Sequence, residues 1–272
     1  MLTRGAGAKV VLVGVVVFGG ELVMSGRTSS AYIDIHVPVE VKSDDTIPAD
    51  TILPVQLETT INVNEAPSGK VIEARIMQDV PLPDREKLRA RSVVKGSIVS
   101  AGSDTEDPGV KITLKFDQVE ERSEILHMTT YLRAIASARA VRAAQLPHSG
   151  ADVGSPSGWA DTVLIGGDVR YGDGGAVRDK AKEKVGKGVI GGVLVRVRAN
   201  PARGCDGPVN GKDRLQALSV FSSGACGTYD LEGVKIARFG RGTPAGEITL
   251  HFDKNVTKLE IGTAMLLCIA SR

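Results

Sequence analysis

Apolar and polar residues alternate over several stretches of the chain with a period of two. Ile33, Ile35, Val37, Val39 and Val41 share one parity, while Asp34, His36, Pro38, Glu40 and Lys42 share the other. Successive side chains of a strand point to opposite faces, so this pattern predicts a half-buried strand, and Pro38 puts it at a sheet edge. The same alternation recurs at Val110, Ile112, Leu114 and Phe116, and again at Ile248, Leu250 and Phe252. Shorter apolar runs, "TILPVQLETTINV", "KVIEARIMQDV", "VVKGSIVSA", "EILHMTTYLRAIAS", "VLVRVRA" and "AMLLCIA", have strand length. Turn chemistry separates them at "SDDTIPAD", "NEAPSG" and "GSDTEDPG". "SARAVRAAQL" alone has helical spacing, giving one short helix within 134–146. The pattern predicts an all-β fold, a small barrel or sandwich of short antiparallel strands. No fixed-period repeat is present.

The start of the chain follows a different pattern. Arg4 and Lys9 precede the apolar run "VVLVGVVVFGG" at 10–20. A basic start before a short apolar stretch is the form of an export signal, and "SSA" at 29–31 offers small residues for cleavage before Tyr32. Two alternatives stay open: an uncleaved anchor extended through Leu22, Val23 and Met24, or a buried N-terminal segment. The expected organisation is a signal or anchor over 1–31, an edge strand and linker over 32–46, and a β-rich domain over 47–272. A glycine-rich loop region falls near 147–192.

Composition adds little against this. In 272 residues the formal net charge is +2, which supplies no field for nucleic acid. Three cysteines fit an exported chain with one disulfide. Cys205 and Cys226 lie beside glycines, whereas Cys268 lies in an apolar run, so the simplest pairing is Cys205–Cys226 with Cys268 a buried thiol. The alternative is three unpaired thiols in a cytosolic protein.

Candidate chemistry is sparse. Gly186, Gly188 and Gly191 match G-x-G-x-x-G, but a dinucleotide loop follows a strand and opens a helix, and here the glycines lead into a strand. They read as turns and a bulge. His36, His127, His148 and His251 have no metal-ligand spacing; strand positions for three of them, facing solvent, are expected. Asp104, Glu106 and Asp107 are weak calcium candidates in a turn that lacks the full ligand series. Arg133, Arg139 and Arg142 would form a basic stripe on a helix over 134–146, a candidate face for an acidic partner or lipid headgroups. No catalytic residue and no cofactor is assigned.

The stretch 47–101 carries "IPADT" before a strand, "ETTIN" and "APSG" before the next, and "VVKGSIV" after a polar crossing. It resembles the opening of the β-barrel domain in the conjugation and type IV secretion channel scaffold family, an opening shared with exported bacterial proteins of unknown function. The resemblance implies a related barrel fold and an exported location. That family's proline-rich linker and apolar helix pair have no counterpart in the pattern here, so a channel role is not implied.

These readings converge on a non-enzymatic exported envelope protein, a structural or interaction module of the periplasm or cell exterior. Its partner is expected to be a protein or envelope component, not nucleic acid, with membrane contact only through 10–24 if that segment is uncleaved. The alternative is a secreted hydrolase or carbohydrate-binding protein, which would need two close carboxylates or stacked aromatics in a cleft.

Overall fold

The computed structural model describes residues 46–83, 87–103, 108–146, 164–167, 169–171, 175–179, 181–197 and 214–271. All belong to one unit, Lys42–Arg272. The proposed signal, the alternating strand at 33–41, the acidic turn residues Asp104, Glu106 and Asp107, His36, His148 and Cys205 lie outside the described residues.

The described chain is mostly β. Ile52–Leu57 (β1), Ile61–Asn62 (β2), Val71–Ile76 (β3), Val80–Pro81 (β4), Lys87–Leu88 (β5), Val93–Ser103 (β6), Gly109–Glu121 (β7), Glu124–His127 (β8) and Thr130–Ala136 (β9) precede the helix Ala138–Gln145 (α1). Val169–Tyr171 (β10), Ala176–Asp179 (β11), Lys184–Val189 (β12), Gly192–Arg196 (β13) and Leu215–Ala217 (β14) follow. Gly227–Tyr229 (β15), Val234–Arg238 (β16), Ile248–Asp253 (β17), Lys258–Leu259 (β18) and Ala264–Ile269 (β19) complete the order.

The main sheet runs β15-β9-β19-β1-β3-β6-β7-β17-β16, with β8 hairpinned onto the end of β7. A second sheet runs β10-β11-β12-β13-β14. Neither is closed into a barrel, which corrects that half of the expected architecture. The two ends of the main sheet nevertheless meet: beyond the stretch paired with β15, the Leu132 N–H of β9 donates to the Phe239 carbonyl, just after β16, at 2.7 Å.

Two cores explain the two kinds of sequence pattern. The first lies on one face of the main sheet and takes Leu53, Val55 and Leu57 of β1, Ile112, Leu114 and Phe116 of β7, and Ile248, Leu250 and Phe252 of β17. These are the alternating positions, and their opposite faces carry Lys111, Thr113 and Lys115, half-buried. The second core lies where the other face of β9, β19 and β1 meets the five-stranded sheet, and includes Tyr131, Ala134, Leu266, Cys268, Val177, Val193 and Val195. Strand β19 serves both. Met265, Leu267 and Ile269 enter the first core, while Ala264, Leu266 and Cys268 enter the second. A strand covered on both faces has no polar alternation to keep, which is why "AMLLCI" is a continuous apolar run. Each large aliphatic side chain so buried contributes about 1.5–3 kcal/mol.

Pro54 sits inside β1, a central strand, where its missing N–H would ordinarily cost a ladder bond. The register removes the conflict. Pro54 faces the β3 side, and pairing with β3 begins only at Val55 opposite Ile76. Two residues earlier the Ile52 N–H, on the same edge, donates to Gln216 Oε1 of β14 at 3.1 Å. A side chain of the second sheet thus caps the edge that β3 leaves open.

Candidate functional site

The helix is placed by a strand pairing. β15 runs parallel to β9, with Tyr229 opposite Ala136. The next residues, Asp230 and Ser137, are therefore neighbours. Ser137 is the N-cap of α1: its Oγ accepts from the Ala140 N–H at 3.0 Å. The hydroxyl in turn donates to Asp230 Oδ2. Arg139 Nε donates to the same carboxylate at 2.9 Å, and its Nη2 reaches Oδ1. Asp230 holds a left-handed φ of 53°, which aspartate tolerates better than most residues. The Arg139 and Ser137 hydrogen bonds hold the Asp230 carboxyl below the usual carboxylate range, and the hydrogen bond to Asp230 raises Arg139.

These groups form one wall of a groove of about 490 Å³. Val234 and Val256 line it, and Lys258 and Glu260 lie in its lining 3.0 Å apart. A second groove, of about 380 Å³, lies between β5 and the β7–β8 turn. Arg89 and Glu121 pair across it at 3.8 Å. Beside it the Asp79 carboxylate accepts the Ala90 N–H at 2.9 Å and Lys87 Nζ at 2.6 Å. The Ala90 bond first, then Lys87, keeps Asp79 below its ordinary value. The described lining of both grooves contains no aromatic ring for a sugar to stack on.

The three arginines do not share a helix face. α1 begins after Ser137, so Arg133 belongs to β9, where it is buried. Its Nε donates to the Ala225 carbonyl at 2.8 Å and its Nη2 to the Ser223 carbonyl, pinning the turn that leads into β15. Arg139 and Arg142 are exposed on α1 and line the larger groove. The strand period overrides the helical spacing because the two cores cover both faces of β9: Leu132 and Ile135 enter the first, Tyr131 and Ala134 the second.

The glycine motif resolves into sheet geometry. Gly186 and Gly188 lie within β12, and Gly191 ends a two-residue turn to β13 with φ 85°. The glycines serve close backbone approach: a Cβ on Gly186 would lie 2.0 Å from the Leu194 carbonyl oxygen. His127 is exposed on β8, as expected of a solvent-facing strand residue. His251 is buried in β17, a correction: the polar face of that strand is covered. Cys268 is a buried free thiol raised by desolvation, and Tyr131, likewise raised mainly by burial, has Arg241 stacked 4.1 Å from its ring centre.

The residues that sequence reasoning missed are two buried glutamines. Gln216 caps Ile52, and Gln78 joins the β3–β4 connection to the second sheet. A lone glutamine in "IMQDV" or "RLQAL" carries no periodic signal that separates it from a solvated residue. Among the described residues no group of histidine, cysteine, aspartate and glutamate is placed to hold a metal ion, and no helix is long and apolar enough to cross a membrane. No protein-family model, curated protein or solved structure matches the chain.

Proposed function

We propose that the chain is an exported, non-enzymatic protein of the cell envelope that acts as a structural or interaction module. The observation that carries this reading is the Ser137–Asp230–Arg139 arrangement. In the larger groove, the carboxylate with the most strongly shaped environment is held ionised and used as a structural tie. A general acid needs the opposite: a carboxyl whose surroundings raise it toward neutral pH. Asp79, beside the second groove, is likewise held below its ordinary value by bonds that lock a turn. The approach of the main sheet's ends at Leu132 and Phe239 supports kinship with barrel domains, which belongs to the same proposal.

The test is cross-linking in cells with the native protein, followed by envelope fractionation and sequencing of the mature N-terminus. The reading expects adducts in the envelope fraction through residues flanking the α1 groove, and a chain that begins near Tyr32. Full-length soluble protein in the cytoplasm overturns the location. Hydrolysis of a glycoside, ester or peptide by the purified protein, abolished by Asp230→Asn without loss of folding, overturns the non-enzymatic assignment.

A further inference from the structure

The five-stranded sheet has two unlike faces. Val177, Val185, Val193 and Val195 are buried in the second core. Arg178, Lys184, Lys187 and Arg196 are exposed, with Lys182 exposed in the turn between β11 and β12. Lys187 lies opposite Leu194, and Arg196 opposite Leu215. Of these two half-buried leucines, Leu194 packs against the first core, and Leu215 sits beside Arg196 on the neighbouring strand. Within the described stretch 181–197, Glu183 is the one acidic side chain.

On the main sheet several surface charges are matched: Lys95 pairs with Glu120, Lys115 with Asp117, and Arg75 with Glu58. Over β11–β13 and their connections, Arg178, Lys182, Lys184, Lys187 and Arg196 outnumber Asp179 and Glu183, an excess of one sign.

The tip of the β12–β13 hairpin adds an apolar element. Ile190 is 101% exposed. The tip is not loose. A Cβ on Gly191 would come within 3.3 Å of the Met77 carbonyl oxygen, and Gln78 bonds the Val193 carbonyl at 2.9 Å. An isoleucine is thus held outward from a braced turn, three residues beyond Lys187.

We propose that this face docks on an anionic lipid surface, with its lysines and arginines against the headgroups and Ile190 in the interfacial layer. Basic side chains spread along the exposed positions of several strands suit a two-dimensional array of charges more than one bound molecule. A fully exposed aliphatic tip gains from an apolar phase, which a bilayer supplies and a nucleic acid does not. Bases are held by stacking on aromatic rings, and Ile190 offers none. The inference uses a different face from the α1 groove and does not depend on the exported location.

The experiment is sedimentation of the full chain with phosphatidylcholine vesicles, with and without phosphatidylglycerol. Binding should require phosphatidylglycerol and weaken as salt is added. Lys184→Gln and Lys187→Gln should each lower the partition coefficient about fivefold. Ile190→Ser should weaken binding while leaving its salt dependence unchanged. Lys115→Gln, on the main sheet, should bind as the parent does. All four sites are solvent-accessible, and matching thermal unfolding curves verify that the variants are folded. Equal binding to neutral vesicles, insensitive to Lys184→Gln, would report the apolar run at 10–20 and overturn the proposal. So would no binding to either vesicle, or tighter capture by a DNA duplex than by phosphatidylglycerol.

Discussion

The side-chain amide of Gln78 donates from Nε2 to the Val193 carbonyl at 2.9 Å, joining the connection after β3 to the second sheet. Its Oε1 accepts the Ser219 N–H at 2.7 Å, so one fully buried side chain satisfies two main-chain groups of the other sheet. Gln78→Ala leaves both without a partner. The expected loss is about 2–4 kcal/mol, read from urea unfolding. Gln78→Glu should cost at least as much, because the anion cannot donate to Val193 and must be buried.

The glycines of the G-x-G-x-x-G match, and Gly192 just after it, can be tested by substitution. A Cβ on Gly192 would lie 2.2 Å from Gln78 Oε1 and 2.3 Å from Ser219 Cα, on a backbone at φ 155°. Gly186→Ala and Gly192→Ala should each destabilise the domain by about 1–3 kcal/mol or more through overpacking. Excess nucleotide should leave the thermal midpoint of the parent protein unchanged. A rise in that midpoint with a dinucleotide would reverse this assignment of the glycines.

Arg133 and Arg142 should behave oppositely. Arg133→Met strips the Ser223 and Ala225 carbonyls of their donor and should cost about 2–4 kcal/mol. Arg142→Ala, on the exposed face of α1, should change stability by less than about 0.5 kcal/mol. Unfolding curves of the two variants compare them directly, and equal losses would contradict the placement of Arg133 in β9.

Acid should loosen the turns around Asp79 and Asp230. Both are held below the ordinary carboxylate value of 3.8 in the folded chain. A lowered folded value means that the unfolded chain binds the proton first as the pH drops. Their stabilisation is therefore complete well above about pH 4 and is lost as the pH falls through the folded values. The double variant Asp79→Asn, Asp230→Asn should show a flatter dependence of unfolding midpoint on pH below about 5. A parallel curve would refute the linkage.

Thiol chemistry should distinguish the cysteines. Cys268 is buried and free, so the native protein should resist alkylation there and react once unfolded. If Cys205 and Cys226 are joined, unreduced denatured protein should take up label at Cys268 alone. Reduction should then release two further thiols and lower stability by about 3 kcal/mol in the chain-entropy model. Label on Cys226 before reduction would refute the pairing.

What the sequence revealed and what it hid follow one physical line. β7 and β17 have one face in the first core and one face turned away from it, so their alternation could be read directly. β19, buried on both faces, kept only its strand length. "YLRAIASARAVRAAQL" hid its boundary because alanine and arginine suit either period. Ser137, an N-cap residue, was the mark that separates Arg133 from Arg139. The Asp230 partner of that helix start could not be foreseen, since it depends on the parallel register of β15 with β9. The glutamine clamps were illegible for the same reason: each joins residues far apart in the chain, and only the assembled sheets give the side chain its meaning.

β1, near one end of the domain, pairs with β19 near the other, and β19 belongs to both cores. Neither core can be completed from local contacts, and closing so long a loop carries its entropic cost before any contact repays it. The chain should therefore fold slowly, with neither core complete until β19 arrives. Until then the edges of β1 and β9 that β19 covers stay open, which leaves the partly folded chain vulnerable to self-association. A topology of this kind makes the last strand of the domain the keystone of both cores.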